Sequence, residues 1–192
     1  MTLFKNRGVA VFLTFVVVIA ATLVGVGSSL NRVARDIEST FYAERYLDAG
    51  GITRRGIFIF LGNIANEALL LATDPVLLDN HNRELDIAGN SLLSSRESLM
   101  AAISARDIQK MGLAYSEVQQ AFSTLAALVE RLDLSDHDRQ NVDSIISSFS
   151  GAQNAISESS YNQRVASFMD DASFVARLLR PFVFVTPPQA FR

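Results

Sequence analysis

The 192 residues include 17 Lys and Arg against 20 Asp and Glu, a formal charge of −3, and 49% of them are hydrophobic. That balance offers no polybasic face for nucleic acid or for an anionic lipid surface. Cysteine is absent, which excludes a disulfide framework and a lipid-modified Cys.

Residues 1–7 form a short polar tail carrying Lys5 and Arg7, and residues 8–30 follow without a charge, densest in Val, Phe, Leu and Ile between Val9 and Val26. A helix rises about 1.5 Å per residue, so roughly twenty residues cross a ~30 Å hydrocarbon layer, and this run has that length. It reads as a transmembrane helix, with the lipid bilayer as its partner. The apolar core exceeds the about 7–15 residues of a secretory signal, which favours an uncleaved anchor; small residues at Gly25, Gly27 and Ser28 keep cleavage open as the alternative. Orientation is undecided, since Lys5 and Arg7 are matched on the other side by Arg32, Arg35 and Arg45. Ala21 and Gly25 form a small-xxx-small pair, a pattern common by chance in apolar helices. With Lys5 and Arg7 set aside, 15 basic residues face 20 acidic ones in the remainder, residues 31–192, which reads as one domain.

Beyond the run, Leu30, Val33, Ile37 and Phe41 recur at steps of three and four, so the helix is expected to continue to about Ala49 and to break at Gly50-Gly51. Helix resumes near Thr53 through an almost uniformly apolar stretch that includes Phe58, Leu61, Ile64 and Leu69, which implies deep burial or contact with a membrane surface. Asp74-Pro75 marks a new helix start, Asp as N-cap and Pro in the first turn. This helix carries Leu85, Leu92, Leu99 and Ile103, with a local break before Leu92 where DNHNRE and Gly89 interrupt the pattern.

The clearest pattern is Ile108, Met111, Tyr115, Val118, Phe122, Leu125, Val129 and Leu132, a heptad seam of the coiled-coil type that favours near-parallel packing of helices. Ser135 with Asp138 is a capping-box variant that opens the next helix. Its apolar positions run from Val142 to Ile156, then slip in phase to Tyr161, Val165, Phe168 and Val175. Prolines occur only at 75, 181, 187 and 188, and the long proline-free interval argues for long helices. Short connections between such helices predict an all-α chain in which the N-terminal transmembrane helix is followed by an antiparallel four-helix bundle. The tail from Pro181 reads as an extended apolar strap.

Chemistry-bearing candidates are few. His81 and His137 each sit among carboxylates, but neither belongs to an HExxH or Glu-x-x-His pattern, and the acids beside His137 are accounted for by capping. No metal, cofactor or catalytic residue is assigned, and no enzymatic activity is expected. Arg54 and Arg55 precede an apolar helix and suit phosphate headgroups or acids of a neighbouring helix; a solvated turn is the simpler reading. Tyr161 and Asn162 lie in the middle of the last helix, where a role in fixing register against a facing helix outweighs a ligand site.

The paired Arg54-Arg55 before an apolar run with Asn63, the LAALVERL of Leu125–Leu132, the QNAI of Gln153–Ile156 and Tyr161-Asn162-x-x-Val165 follow one another in an order that resembles the LemA family. The resemblance covers about residues 30 to 192 and is strongest from Tyr115 to Phe168. It implies an antiparallel four-helix bundle tethered to a bacterial membrane, with molecular function generally unassigned. The chain would be a divergent member: Ile57–Asn63 replaces the family's Asp-Leu-Ile-Pro-Asn, and Arg131-Leu132 replaces its Tyr-Pro. Family descriptions put the short N-terminus outside the cell, whereas the basic start here favours a domain outside. The expected function is that of a single-pass, inner-membrane interaction or scaffold protein of the bacterial cell envelope, with a protein partner or self-association. The alternative is a sensor-type four-helix domain, similar to the ligand-binding regions of chemoreceptors, which binds an unidentified small molecule and acts through a separate membrane partner.

Overall fold

The computed structural model describes residues 2–43, 46–47, 53–54, 56–79, 82–179 and 188–191. The architecture is helical: α1 (Thr2–Phe41), α2 (Ile57–Ala72), α3 (Pro75–Asp79), α4 (Arg83–Ala105), α5 (Ile108–Val129), α6 (Asp136–Ser157) and α7 (Ser160–Leu179). A two-residue antiparallel pair, β1 (Tyr46–Leu47) and β2 (Thr53–Arg54), sits between α1 and α2 in the register Tyr46↔Arg54 and Leu47↔Thr53.

Helix α1 is long and apolar enough to span a membrane, and none of its most apolar stretch is buried. Val11, Phe12, Phe15, Val17 and Val24 all stand exposed. Further along, the buried stripe is Ala34, Ile37 and Phe41. This corrects the expected stripe by one residue: Val33 is 48% exposed, and Ala34 at 5% takes the inward position.

The chain forms two compact units. One comprises Met1–Ser39 with Arg164–Pro188, the other Thr40–Gln163 with Gln189–Arg192. In the first, α1 and α7 face each other across a groove of about 420 Å³ lined by Leu30, Val33, Ile37 and Phe168, with Asp36 and Arg164 among its polar walls.

In the second unit, α2 packs against α4, α5 and α6, and α4 packs along α5. Taken together, α2 and α3 (Ile57–Asp79) also have the length and composition to cross a membrane, but Leu61, Ile64, Ala65, Ala68 and Leu71 are fully buried here, so the hydrophobicity of α2 serves the core. The seam of α5 is present as expected. Met111, Tyr115, Val118, Phe122, Leu125 and Val129 are all buried, while Ile108 and Leu132 at its ends are half-buried. Phe122 stacks on Phe149 of α6 with ring centroids 3.6 Å apart and planes within 6°. Each large apolar side chain withdrawn from water contributes about 1.5–3 kcal/mol, so the seam is a principal source of stability.

Local chemistry sets the boundaries. The Asn82 side chain accepts from the Glu84 amide at 2.9 Å, Asp107 accepts from the Lys110 amide at 3.1 Å, and Ser135 Oγ accepts from the Asp138 amide at 3.3 Å. Ser135 Oγ also donates to Asp138 Oδ2 at 2.6 Å, completing the expected cap. Between α4 and α5 the corner residue Arg106 takes φ 53°, the left-handed conformation that ends a helix.

Three expected boundaries are corrected and one expected break is present. Helix α1 ends at Phe41 rather than near Ala49, because the chain turns through Tyr42 and Ala43 and is closed by the Gly56 amide donating to the Ala43 carbonyl. Gly50 and Gly51 lie outside the described residues. Helix resumes at Ile57 rather than near Thr53, whose backbone is in β2. The expected break at DNHNRE is present: the helix that Asp74 caps by accepting from the Val76 amide at 3.0 Å stops at Asp79 and α4 starts at Arg83, and it runs unbroken through Gly89. The phase slip before Tyr161 is a true break at Glu158 and Ser159, with Ser159 Oγ accepting from the Asn162 amide to open α7.

Candidate functional site

The residues singled out from sequence separate into two groups. Arg54 lies in β2 with its backbone paired to Tyr46, and Arg55 lies outside the described residues. Tyr161 and Asn162 occupy the first turn of α7, not the middle of a longer helix as expected, because the helix breaks just before them.

Besides contacts with neighbouring helices, the pair holds a segment outside regular structure, Gln189–Phe191. Tyr161 Oη donates to the Gln189 carbonyl at 2.9 Å. Asn162 Oδ1 accepts from the Phe191 amide at 2.8 Å, and Asn162 Nδ2 donates to the Phe191 carbonyl. The same Nδ2 donates to the Ile156 carbonyl at 3.0 Å, the last turn of α6. One side-chain amide thus satisfies both backbone groups of a single residue and ties them to the α6–α7 corner. Such groups, once buried, cost about 1–3 kcal/mol if left without a partner.

The Phe191 side chain fills a pocket of aromatic rings and is 2% exposed. Its centroid lies 5.1 Å from Phe41, 6.3 Å from Tyr115 and 6.3 Å from Tyr161. Phe41 meets Tyr161 edge-on at 5.2 Å. Gly112 forms part of the wall, since a Cβ there would stand 3.8 Å from the Phe191 ring. The end of α1, the first half of α5, the start of α7 and the last residues of the sequence converge on this point.

Burial pushes the Tyr115 phenol up to about 12, against the opposing effect of hydrogen bonds with Gln119 and Gln153. Tyr42 extends the cluster outward: its hydroxyl donates to the Arg106 carbonyl at 3.0 Å, the Arg106 guanidinium lies 5.5 Å over its ring, and Phe58 sits 5.5 Å away. This fixes the left-handed corner between α4 and α5 against the end of α1.

Two other places bring polar side chains together. An open groove of about 600 Å³ lies between α4 and α5, with Ile87, Ala88 and Leu128 as apolar walls and Glu84 and Glu117 as acidic ones. The hydroxyls of Ser95 and Thr124 in it are committed to the carbonyls of Ser91 and Gln120. Among the described residues no group of three or more His, Asp or Glu could hold a metal ion; His137 instead pairs with Asn141 at 3.4 Å, and His81 lies outside those residues.

Sequence reasoning missed Phe41, Tyr115 and above all Phe191 as one constellation. The signal available was an aromatic residue in a proline-bearing tail that no helix could hold. No protein-family model, curated protein or solved structure matches the chain.

Proposed function

We propose that this chain is a membrane-anchored helical-bundle interaction or scaffold module, single-pass in the inner membrane of a bacterial envelope, working by contact and not by catalysis. In this reading α2, α4, α5 and α6 make an antiparallel four-helix bundle, and the chain is a divergent LemA-type protein. The observation that carries it is helix α1, whose exposed apolar stretch suits lipid and whose last residue, Phe41, is fully buried in the aromatic cluster. An anchor that doubles as a core element suits a module held at a membrane to meet other proteins.

The test is site-specific photocrosslinking of the full chain in intact cells, with the photoreactive residue at Ile87 or Leu113, which are 61% and 69% exposed. Discrete protein adducts at either position support the reading. Smears or no adduct at both positions, with the chain correctly membrane-bound, count against it.

A second reading, a sensor-type domain that binds a small molecule, is favoured by the groove between α1 and α7, which lies in the same compact unit as the apolar stretch. Thermal stabilisation of the detergent-solubilised chain by one compound class, lost on Phe168→Ala, would support it. A flat response across a broad metabolite set would remove it.

A further inference from the structure

We propose that the aromatic pocket closed by Asn162 is a peptide-recognition site, which takes an extended segment carrying a phenylalanine and which the chain's own residues Gln189–Phe191 occupy as a displaceable latch. The inference stands on the geometry of the second unit alone and does not depend on the anchor.

Three features point to recognition. Asn162 reads both the N–H and the C=O of Phe191, the two groups any extended residue presents, so this contact is indifferent to sequence. Tyr161 adds a third backbone contact two residues earlier, at the Gln189 carbonyl, which fixes the direction of the segment. Specificity comes from the side-chain pocket of Phe41, Tyr115 and Tyr161, with Gly112 forming part of its wall. Backbone contacts for affinity and one deep pocket for choice is the division of labour by which extended peptides are held.

The segment enters from outside regular structure. Residues 188–191 belong to no helix or strand, and all the polar contacts described for Gln189–Phe191 are to Tyr161 and Asn162. A tethered occupant of this kind competes at an effective concentration on the order of mM, so a peptide in trans enters readily only when the cis ring is removed.

The experiment uses the full chain in detergent and the synthetic peptide TPPQAFR, with TPPQAAR as control. Wild-type chain should bind TPPQAFR at least tenfold more weakly than Phe191→Ala, and TPPQAAR should bind neither. Adding Asn162→Ala to Phe191→Ala should weaken TPPQAFR at least tenfold again. A Phe191→Ala chain that keeps its helical circular dichroism yet binds no peptide overturns the proposal. If Phe191→Ala does not fold, hydrogen exchange of the wild-type chain decides. A Phe191 amide that exchanges by local opening, at least tenfold faster than the slowest amides of α5, supports a latch; exchange at the α5 rate makes the segment an inseparable part of the core and overturns it.

Discussion

The Asn162 side chain holds three backbone groups at once. Asn162→Ala removes its bonds to the Ile156 carbonyl and to both backbone groups of Phe191, and should cost about 2–3 kcal/mol in urea unfolding. Asn162→Asp keeps an acceptor for the Phe191 amide and loses the donor, so it should fall between the two. Tyr115 supplies a pH dependence. Its phenol rises to about 12 from an ordinary 10.0 because the folded chain favours the neutral form. Its contribution is therefore complete below pH 10 and is lost as pH rises towards 12, a fall of about 3 kcal/mol. Comparing urea midpoints at pH 8 and pH 11 should show about half of this loss in the wild-type chain and a smaller one in Tyr115→Phe; equal losses would mean that Tyr115 does not carry the alkaline transition. Sequence alone marks Tyr161 and Asn162 as unusual in a helix interior. It leaves their partner hidden, because Phe191 lies 29 residues further on and no helical period connects the two.

At the scale of elements, termini decide where each helix begins. Ser135→Ala removes the cap on α6 and should lower stability by about 1 kcal/mol, read from the shift in urea midpoint. Gly56 is constrained by crowding: a Cβ would run into the carbonyls of Ala43 and Phe41, and the Gly56 amide itself donates to Ala43. Gly56→Ala should therefore cost about 1–3 kcal/mol in the same assay, as overpacking does elsewhere; an unchanged midpoint would show that the turn after α1 yields freely. These two sites also mark what the sequence makes legible. The α5 seam and the Ser135 cap can be read directly, because each depends on residues three or four apart on one helix. The end of α1 cannot: its apolar rhythm stops at Phe41, but the turn that ends it is closed by a glycine fifteen residues later. The α6–α7 break is intermediate. Its phase slip is visible in the pattern, while the Ser159 and Asn162 contacts that turn a slip into a break are not.

For the whole molecule, α1 is the central element: it is long and apolar enough to span a membrane, and it ends in the buried Phe41. Its exposed Val, Phe and Leu side chains make sense in lipid, whereas in water they would form an apolar patch far larger than a monomer carries. Charges near the middle of a spanning helix cost about 2.5–3.5 kcal/mol each on insertion scales, so Val16→Asp with Val17→Asp should abolish stable insertion while leaving Phe41 and the second unit unaltered. The decisive measurement is alkaline carbonate extraction of membranes from cells making the full chain, wild-type beside this double variant. The wild-type chain should stay in the membrane pellet and the variant should move to the supernatant or be degraded. A wild-type chain released by carbonate would contradict α1 as a membrane anchor.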